Sequence, residues 1–153
     1  MINYRNEAGR YRPTDVKILL IAESPPPAAK DYFYIPKVPV RKGSLPDTIF
    51  RHYFHDAVPA TQEEYQRALT DLQCRGVFLI DIADEPLRIR NKNYPSWIDP
   101  AELKRLKDKI TDLRGKIQNL GIRITDESIK FLLPRRHYKR ELEWLFPQAA
   151  FYS

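Results

Sequence analysis

The chain is poor in cysteine and has no long apolar run. Its 153 residues include one cysteine, Cys74, which excludes an internal disulfide and any metal site or iron–sulfur cluster held by cysteines alone. No apolar run approaches the roughly 20 residues that span a bilayer, and the first residues, MINYR, contain no signal-peptide core. We therefore expect a cytoplasmic protein that does not associate with membranes, and we expect Cys74 to be buried in a helix.

The sequence motifs of several common enzyme classes are also absent. Neither GxGxxG nor GxxxxGK[ST] occurs, so a dinucleotide site and a Walker-type phosphate site are not supported. The GxSxG nucleophile elbow is missing as well. His52 and His55 lie three residues apart beside Asp56, but no third ligand follows at a recognisable spacing. We therefore expect neither a metal site nor a cofactor.

Composition indicates a globular protein with a moderate excess of positive charge. Hydrophobic residues make up 42% and charged residues 30% of the chain, and the net charge is +6. This length corresponds to about one domain, so we treat residues 1–153 as a single domain in which 1–15 form an N-terminal arm or edge segment. The charge permits binding to a polyanion such as DNA, and it fits a basic soluble enzyme equally well.

Three apolar, β-prone runs without alternation predict buried strands, at Val16–Ala22, Val77–Ile82 and Ile129–Leu133. Amphipathic helices are predicted between them, including one long helix over residues 99–120. Strands that alternate with helices are typical of a parallel sheet covered on both faces. The predicted fold class is therefore α/β, a three-layer α/β/α domain with a central, mostly parallel sheet.

The exit of the first predicted strand concentrates polar groups on a stiff segment, because Glu23 and Ser24 are followed by three prolines. The second strand reaches Asp81 near its end. In open α/β sheets ligands bind at the carboxyl ends of the strands. One carboxylate could activate water there while the other contacts the substrate. Alternatively, Glu23 pairs with a nearby Lys or Arg, and Asp81 caps a turn.

A proline-rich segment, residues 24–46, follows the first strand and contains the aromatic run Tyr32-Phe33-Tyr34. Long loops of this kind are usually functional or mobile, and a base can stack on an exposed aromatic ring. Alternation along the run predicts that one of the three rings enters the core while the others face outward. At least one ring is then structural.

Basic segments occur at Arg41-Lys42, Arg88–Lys92 and Arg135–Arg140, and the first two lie in loops at the predicted ligand edge. Loops of this kind contact phosphates without reading sequence. A solvated basic face is the alternative for each segment. The residues that we expect to bind phosphates are Arg41, Lys42, Ser44, Arg88 and Arg90.

The segment Ala22-Glu23-Ser24-Pro25-Pro26 resembles the first motif of the uracil-DNA glycosylase superfamily, Gly-x-x-Pro, and most closely the Gly-Glu-Ala-Pro-Gly of its thermostable branch. Val77–Asp81 looks like the family's strand that ends in a base-binding Asn. Phe131–His137 is similar to its third strand and the helix start after it. Ala149–Ser153 lie about where its fourth strand would begin.

The chain departs from the family pattern at several positions. Ala22 replaces the glycine, Ser24 stands where other branches have Asp or Asn, and Asp81 stands at the Asn position. The His-Pro-Ser motif of the family does not occur in the sequence, and neither do the cysteines that hold the iron–sulfur cluster of the thermostable branch.

The resemblance implies a DNA glycosylase-like protein of DNA repair that binds DNA and hydrolyses the N-glycosidic bond of a damaged or deaminated base. It assigns catalysis to Glu23 and Ser24, stacking of the flipped base to Phe33 or Tyr32, and contact with the base edge to Asp81. Two alternatives remain open. One is a non-catalytic nucleic-acid-binding module on the same fold, and the other is a hydrolase of nucleosides or other small molecules.

Overall fold

Four short strands form the centre of the computed structural model, which describes residues 2–87 and 99–152. The strands are β1 (Ile18–Ala22), β2 (Val77–Asp81), β3 (Ile129–Leu132) and β4 (Ala150–Phe151). All of their pairings are parallel, and the strand order is β2-β1-β3-β4. The predicted α/β class with a central parallel sheet is confirmed.

Six α-helices accompany the strands in the described part of the chain. Their bounds are α1 Tyr4–Gly9, α2 Leu45–Tyr53, α3 Gln62–Cys74, α4 Pro100–Thr111, α5 Leu113–Asn119 and α6 Arg135–Leu145. Short 3₁₀ turns occupy Ala29–Asp31 and Asp126–Ser128. Within the two described ranges, no helix combines the length and the apolar character that crossing a membrane requires.

The central strand β1 is covered on both faces. Its residues Leu19 to Ala22 are all buried although their side chains alternate between the two faces. A strand of this kind requires helices or loops on either side of the sheet. Burying each large apolar side chain contributes about 1.5–3 kcal/mol, so this strand anchors the core.

Within the segment 1–15, for which the sequence predicts an arm or edge segment, Tyr4–Gly9 form a helix that packs on the core. The side chain of Asn3 caps α1 by accepting a hydrogen bond from the Asn6 backbone N–H at 3.1 Å. Ala8 is buried, and the ring of Tyr4 packs edge-on against Tyr32 with centroids 4.8 Å apart. This apolar face accounts for the docking of α1.

The long helix predicted over 99–120 is in fact two helices, α4 and α5, separated at Asp112. The Asp112 N–H bonds to the carbonyls of Lys109 and Ile110, which closes α4 with a tight turn. Thr111 and Asp112 are weak helix formers, which explains the position of the break. The apolar spacing that predicted one straight helix continues through it, because Ile110 and Leu113 are both buried.

Two local predictions on the helices also need correction. Cys74 lies on α3 but is exposed, because the buried stripe of this helix runs through Tyr65, Leu69 and Leu72. Helix α2 starts at Leu45, and its N-cap is Ser44. The sequence predicts a short helix from Asp47 to His55, whereas Asp47 lies within the first turn of α2.

Candidate functional site

The carboxyl ends of β1 and β2 lie side by side. Ala22 is in register with Asp81, and pairing continues beyond the strands through the bond from the Ala83 N–H to the Glu23 carbonyl, at 3.0 Å. Glu23 follows Ala22 by one residue. Because side chains alternate along a strand, Glu23 and Asp81 reach the same sheet edge on opposite faces.

Glu23 is held by a residue of α6. Its Oε2 accepts a hydrogen bond of 2.5 Å from the Tyr138 hydroxyl, and Tyr138 is completely buried. Burial and the adjacent Glu23 carboxylate raise the pKa of Tyr138, so the phenol keeps its proton and donates it. A charge-assisted bond of this length fixes the carboxylate. The alternative that Glu23 pairs with a Lys or Arg is not found among the described residues.

The carboxyl group of Asp81 has different surroundings from that of Glu23. Burial raises its pKa to about 7, against an opposing effect of Lys116 and with a further increase from Asp84. The Lys116 ammonium donates to the Asp81 backbone carbonyl at 2.5 Å and to Asp84 Oδ1 at 2.8 Å. Within residues 2–87 and 99–152, the Asp81 carboxyl group itself has no hydrogen-bond partner, so it caps no turn there. Near neutral pH it is therefore present in both its donating and its accepting forms.

A cavity of about 630 Å³ opens beside the exit of β1, and we call it the strand-end cleft. This volume lies within the usual range of small-molecule sites, about 300–1,000 Å³. Among the predicted site residues, those that line the cleft are Ser24, Tyr32, Phe33, Arg41, Ser44 and Asp81. A larger cavity between α1 and β2 shares Tyr32 and Asp81 with it. The structure therefore gathers most of the predicted residues around one ligand-sized space.

The aromatic run is more deeply buried than predicted. Tyr32, Phe33 and Tyr34 are only 5%, 3% and 4% exposed, so the expectation that some of these rings face outward was wrong. Phe33 packs against Phe50 with centroids 5.4 Å apart. The Tyr34 hydroxyl accepts a bond from the Leu79 N–H at 2.8 Å on the outer side of β2. These contacts bury a large aromatic surface. They also give a hydrogen-bond partner to a backbone N–H on the unpaired side of the edge strand β2.

Tyr32 forms a polar wall of the strand-end cleft. Burial and the nearby Asp81 raise its pKa, so the phenol stays neutral and can donate a hydrogen bond. Phe33 offers no polar group and almost no free ring surface. Of the two residues that the resemblance assigns to base binding, Tyr32 is the better placed to contact a ligand.

The predicted phosphate-binding residues differ in their surroundings. Arg41 is exposed at the cleft, and Lys42 is exposed next to it in the chain. The Ser44 hydroxyl already accepts a bond from the Asp47 N–H at 3.3 Å as the cap of α2. Arg88 and Arg90 lie outside the described residues.

His52 and His55 do not lie in a metal site within the described residues. The ring of His52 contacts the rings of Tyr53 and Tyr152, with centroids 4.8 and 4.7 Å away. His55 lies beyond the end of α2 with a φ of 52°. In the described part of the chain, no three His, Cys, Asp or Glu side chains assemble into a group that could hold a metal ion.

Two residues that contact the site, Tyr138 and Lys116, were not predicted from the sequence. Tyr138 lies 115 positions from Glu23, and Lys116 lies 35 positions from Asp81. Neither position carries a sequence signal that distinguishes it from an ordinary helix residue, because each contact arises only when α5 or α6 packs against the sheet.

Comparisons of the chain with protein-family models, with curated proteins and with solved structures give no match.

Proposed function

We propose that this protein is a DNA glycosylase-like repair enzyme that binds an extruded base in the strand-end cleft and hydrolyses its N-glycosidic bond. One observation carries the proposal. Two carboxyl groups lie on either side of the β1 exit. Glu23 is held by a hydrogen bond from Tyr138, whereas Asp81 lines the cleft and has no hydrogen-bond partner for its carboxyl group within the described residues. Pairs of titratable groups in contrasting environments are typical of acid–base sites.

The cleft has the groups to bind a base. In its acid form Asp81 can donate a hydrogen bond to a ring carbonyl and accept one from a neighbouring ring N–H. Ser24 and Tyr32, which each carry a hydroxyl group, line the same space. Enzymes that act on a base take it out of the helix and contact its edge in such a pocket.

Glu23 does not itself line the cleft, and we assign it the role of general base for a water molecule that attacks from beyond the β1 exit. A water molecule that displaces the base must approach the sugar carbon C1′ from the side opposite to the base. With the base in the cleft, Glu23 is on that opposite side of the β1 exit. Its carboxylate would accept a proton from the water as the new C1′–O bond forms and the C1′–N bond breaks. The leaving base takes the bonding electrons, and the hydrogen bond from Asp81 stabilises its negative charge.

The fourth parallel strand also supports the proposal. The resemblance places a strand near Ala149–Ser153, and β4 occupies Ala150–Phe151 beside β3. The net charge of +6 permits a polyanionic substrate, and the exposed Arg41 and Lys42 are available to contact its phosphates. We include Arg88 and Arg90 among the proposed phosphate contacts on sequence grounds.

The test is release of free base from DNA. Oligonucleotides that contain uracil, hypoxanthine or an alkylated adenine, single-stranded and duplex, are incubated with the protein, and the base is detected by mass spectrometry. A Glu23→Gln protein purified in the same way controls for contaminating glycosylases. We expect release by the unmutated protein only. No release from any of these substrates would overturn the proposal.

A second candidate is a non-catalytic nucleic-acid-binding module, which the burial of Tyr32 and Phe33 favours because neither ring offers a base an open face. It predicts DNA binding that weakens steeply with salt and is not followed by base release. Binding and hydrolysis of free nucleosides with little salt dependence would instead indicate a small-molecule hydrolase.

A further inference from the structure

Helix α6 has two faces of opposite character. Tyr138 and Leu142 are completely buried, and they turn the same side of the helix towards the core. Arg136, Arg140 and Trp144 recur at intervals of four residues on the other side, and all three are exposed. We call these three residues the α6 stripe.

The exposure of Trp144 is exceptional within the described part of the chain. Its side chain is 85% exposed, whereas the described tyrosines and phenylalanines are buried or half-buried. A single exposed apolar residue needs no explanation in general. An exposed tryptophan on the same helix face as two exposed arginines does call for an explanation, because aromatic and guanidinium groups are the usual anchors of binding surfaces.

The acidic residues of α6 that could pair with the stripe arginines are bound to other cations. Glu141 pairs with Lys107 at 3.2 Å, and Glu143 pairs with Arg135 at 3.5 Å. Within residues 2–87 and 99–152, Arg136 and Arg140 make no ion pair. Arg136 lies in the first turn of α6, where the helix dipole disfavours a cation, and this turn has no acidic residue and no side-chain cap. Helix stability therefore does not explain these charges.

We propose that the α6 stripe is a second binding surface, for single-stranded nucleic acid, in which an unpaired base stacks on Trp144 and neighbouring phosphates contact Arg136 and Arg140. Stacking requires an open base face, which a single strand offers and a duplex does not. Helix α6 begins after β3, at the sheet edge that carries the strand-end cleft. A strand bound there can therefore continue along α6, and the surface does not depend on base release in the cleft.

Tryptophan fluorescence tests the proposal directly. The chain has two tryptophans, so a Trp97→Phe protein reports on Trp144 alone. Titration with oligothymidylate should quench its emission saturably, with an affinity that falls as salt rises. In this background, Arg136→Gln with Arg140→Gln should weaken binding about tenfold and reduce the slope of log affinity against log salt by about two. The matched control is Arg67→Gln with Arg123→Gln, which removes the same charge from two exposed sites elsewhere and should retain most of the affinity.

Trp144→Ala in the otherwise unmutated chain, followed by anisotropy of a labelled oligonucleotide, should weaken binding roughly tenfold to a hundredfold. The proposal is overturned if the oligonucleotide binds without quenching, if both arginine pairs weaken binding equally, or if a duplex quenches as strongly as a single strand. It also fails if Trp144 is already shielded in a dimer of the free protein. A protein that shows the quenching but releases no base retains this surface and loses the catalytic proposal.

Discussion

The two ends of β1 and β2 are built differently. At their amino ends the Lys17 and Ile18 N–H groups both donate to the Gly76 carbonyl, at 2.8 and 3.0 Å. A Cβ on Gly76 would lie 2.8 Å from Lys17 Cγ, so the amino ends leave no space for an added group beside Gly76. At the carboxyl ends, Asp81 and Ser24 border a cavity of about 630 Å³.

This difference shows where the molecule holds its shape and where it can take a ligand. Asp81 is half-buried at the end of β2. Its carboxyl group has no hydrogen-bond partner within the described residues, and its partial burial raises its pKa to about 7. Substitutions at the carboxyl ends should therefore alter activity, and substitutions at the amino ends should alter stability.

The largest expected effect is at Glu23. Glu23→Gln keeps the shape of the side chain but removes its ability to accept a proton, so base release should fall about a hundredfold to ten-thousandfold. Single-turnover release is the measurement. The matched control is Glu127→Gln, an exposed carboxylate just before β3 at the amino end of the sheet. Equal losses in the two variants would contradict the comparison.

The second prediction concerns pH. Asp81 donates a hydrogen bond only in its acid form, which predominates below its pKa of about 7. Affinity for a base with a ring carbonyl should therefore drop about tenfold between pH 7.5 and 8.5. Asp81→Asn should flatten this profile, since an amide donates at every pH.

The stability of the same variant has a predictable sign. The unfolded Asp81 carboxyl ionises near 3.8 and the folded one near 7, so its ionisation lowers the stability of the folded state as pH rises between these values. Asp81→Asn removes this cost. The increase in melting temperature should be larger at pH 8 than at pH 5. The reverse order would show that burial does not raise the pKa of Asp81.

The third prediction tests Tyr138 as a positioning residue. Tyr138→Phe removes the bond to Glu23, so kcat should fall about tenfold with little change in KM, because a hydrogen bond to a charged group contributes roughly 1.5–3 kcal/mol. In a Glu23→Gln background the same substitution should have almost no further effect on kcat. Independent, additive losses would mean that Tyr138 acts on folding and not through Glu23.

The smallest expected effects are at two glycines. Gly76 has a φ of +79°, a region in which an L-residue costs about 1–2 kcal/mol, so Gly76→Ala should destabilise the protein while leaving base release per folded molecule unchanged. Gly115 lies within α5 with open space around it. Gly115→Ala should raise the free energy of unfolding by up to about 1 kcal/mol. Chemical denaturation measures both, and a stabilising Gly76→Ala would contradict the account of amino ends that leave no space beside Gly76.

Several features could be predicted because they depend on short stretches of chain. The continuous apolar runs before Ala22 and Asp81 identify strands, and the alternation of strands with helices implies a parallel sheet. Since parallel strands end at the same edge, the proximity of Glu23 and Asp81 to one sheet edge followed as well. The directions of their side chains did not, because these depend on a register that only the paired strands define.

The sequence by itself therefore determined the α/β class, the strand positions and the edge at which polar groups emerge, since hydrophobic period and composition act locally. Only the tertiary structure decided that Tyr138 fixes Glu23, that Lys116 leaves the Asp81 carboxyl unpaired within the described residues, and that the Tyr32–Tyr34 rings are buried. The physical reason is that these contacts join residues far apart in the chain. Their hydrogen bonds and pKa shifts come from burial, which exists only once the helices pack on the sheet.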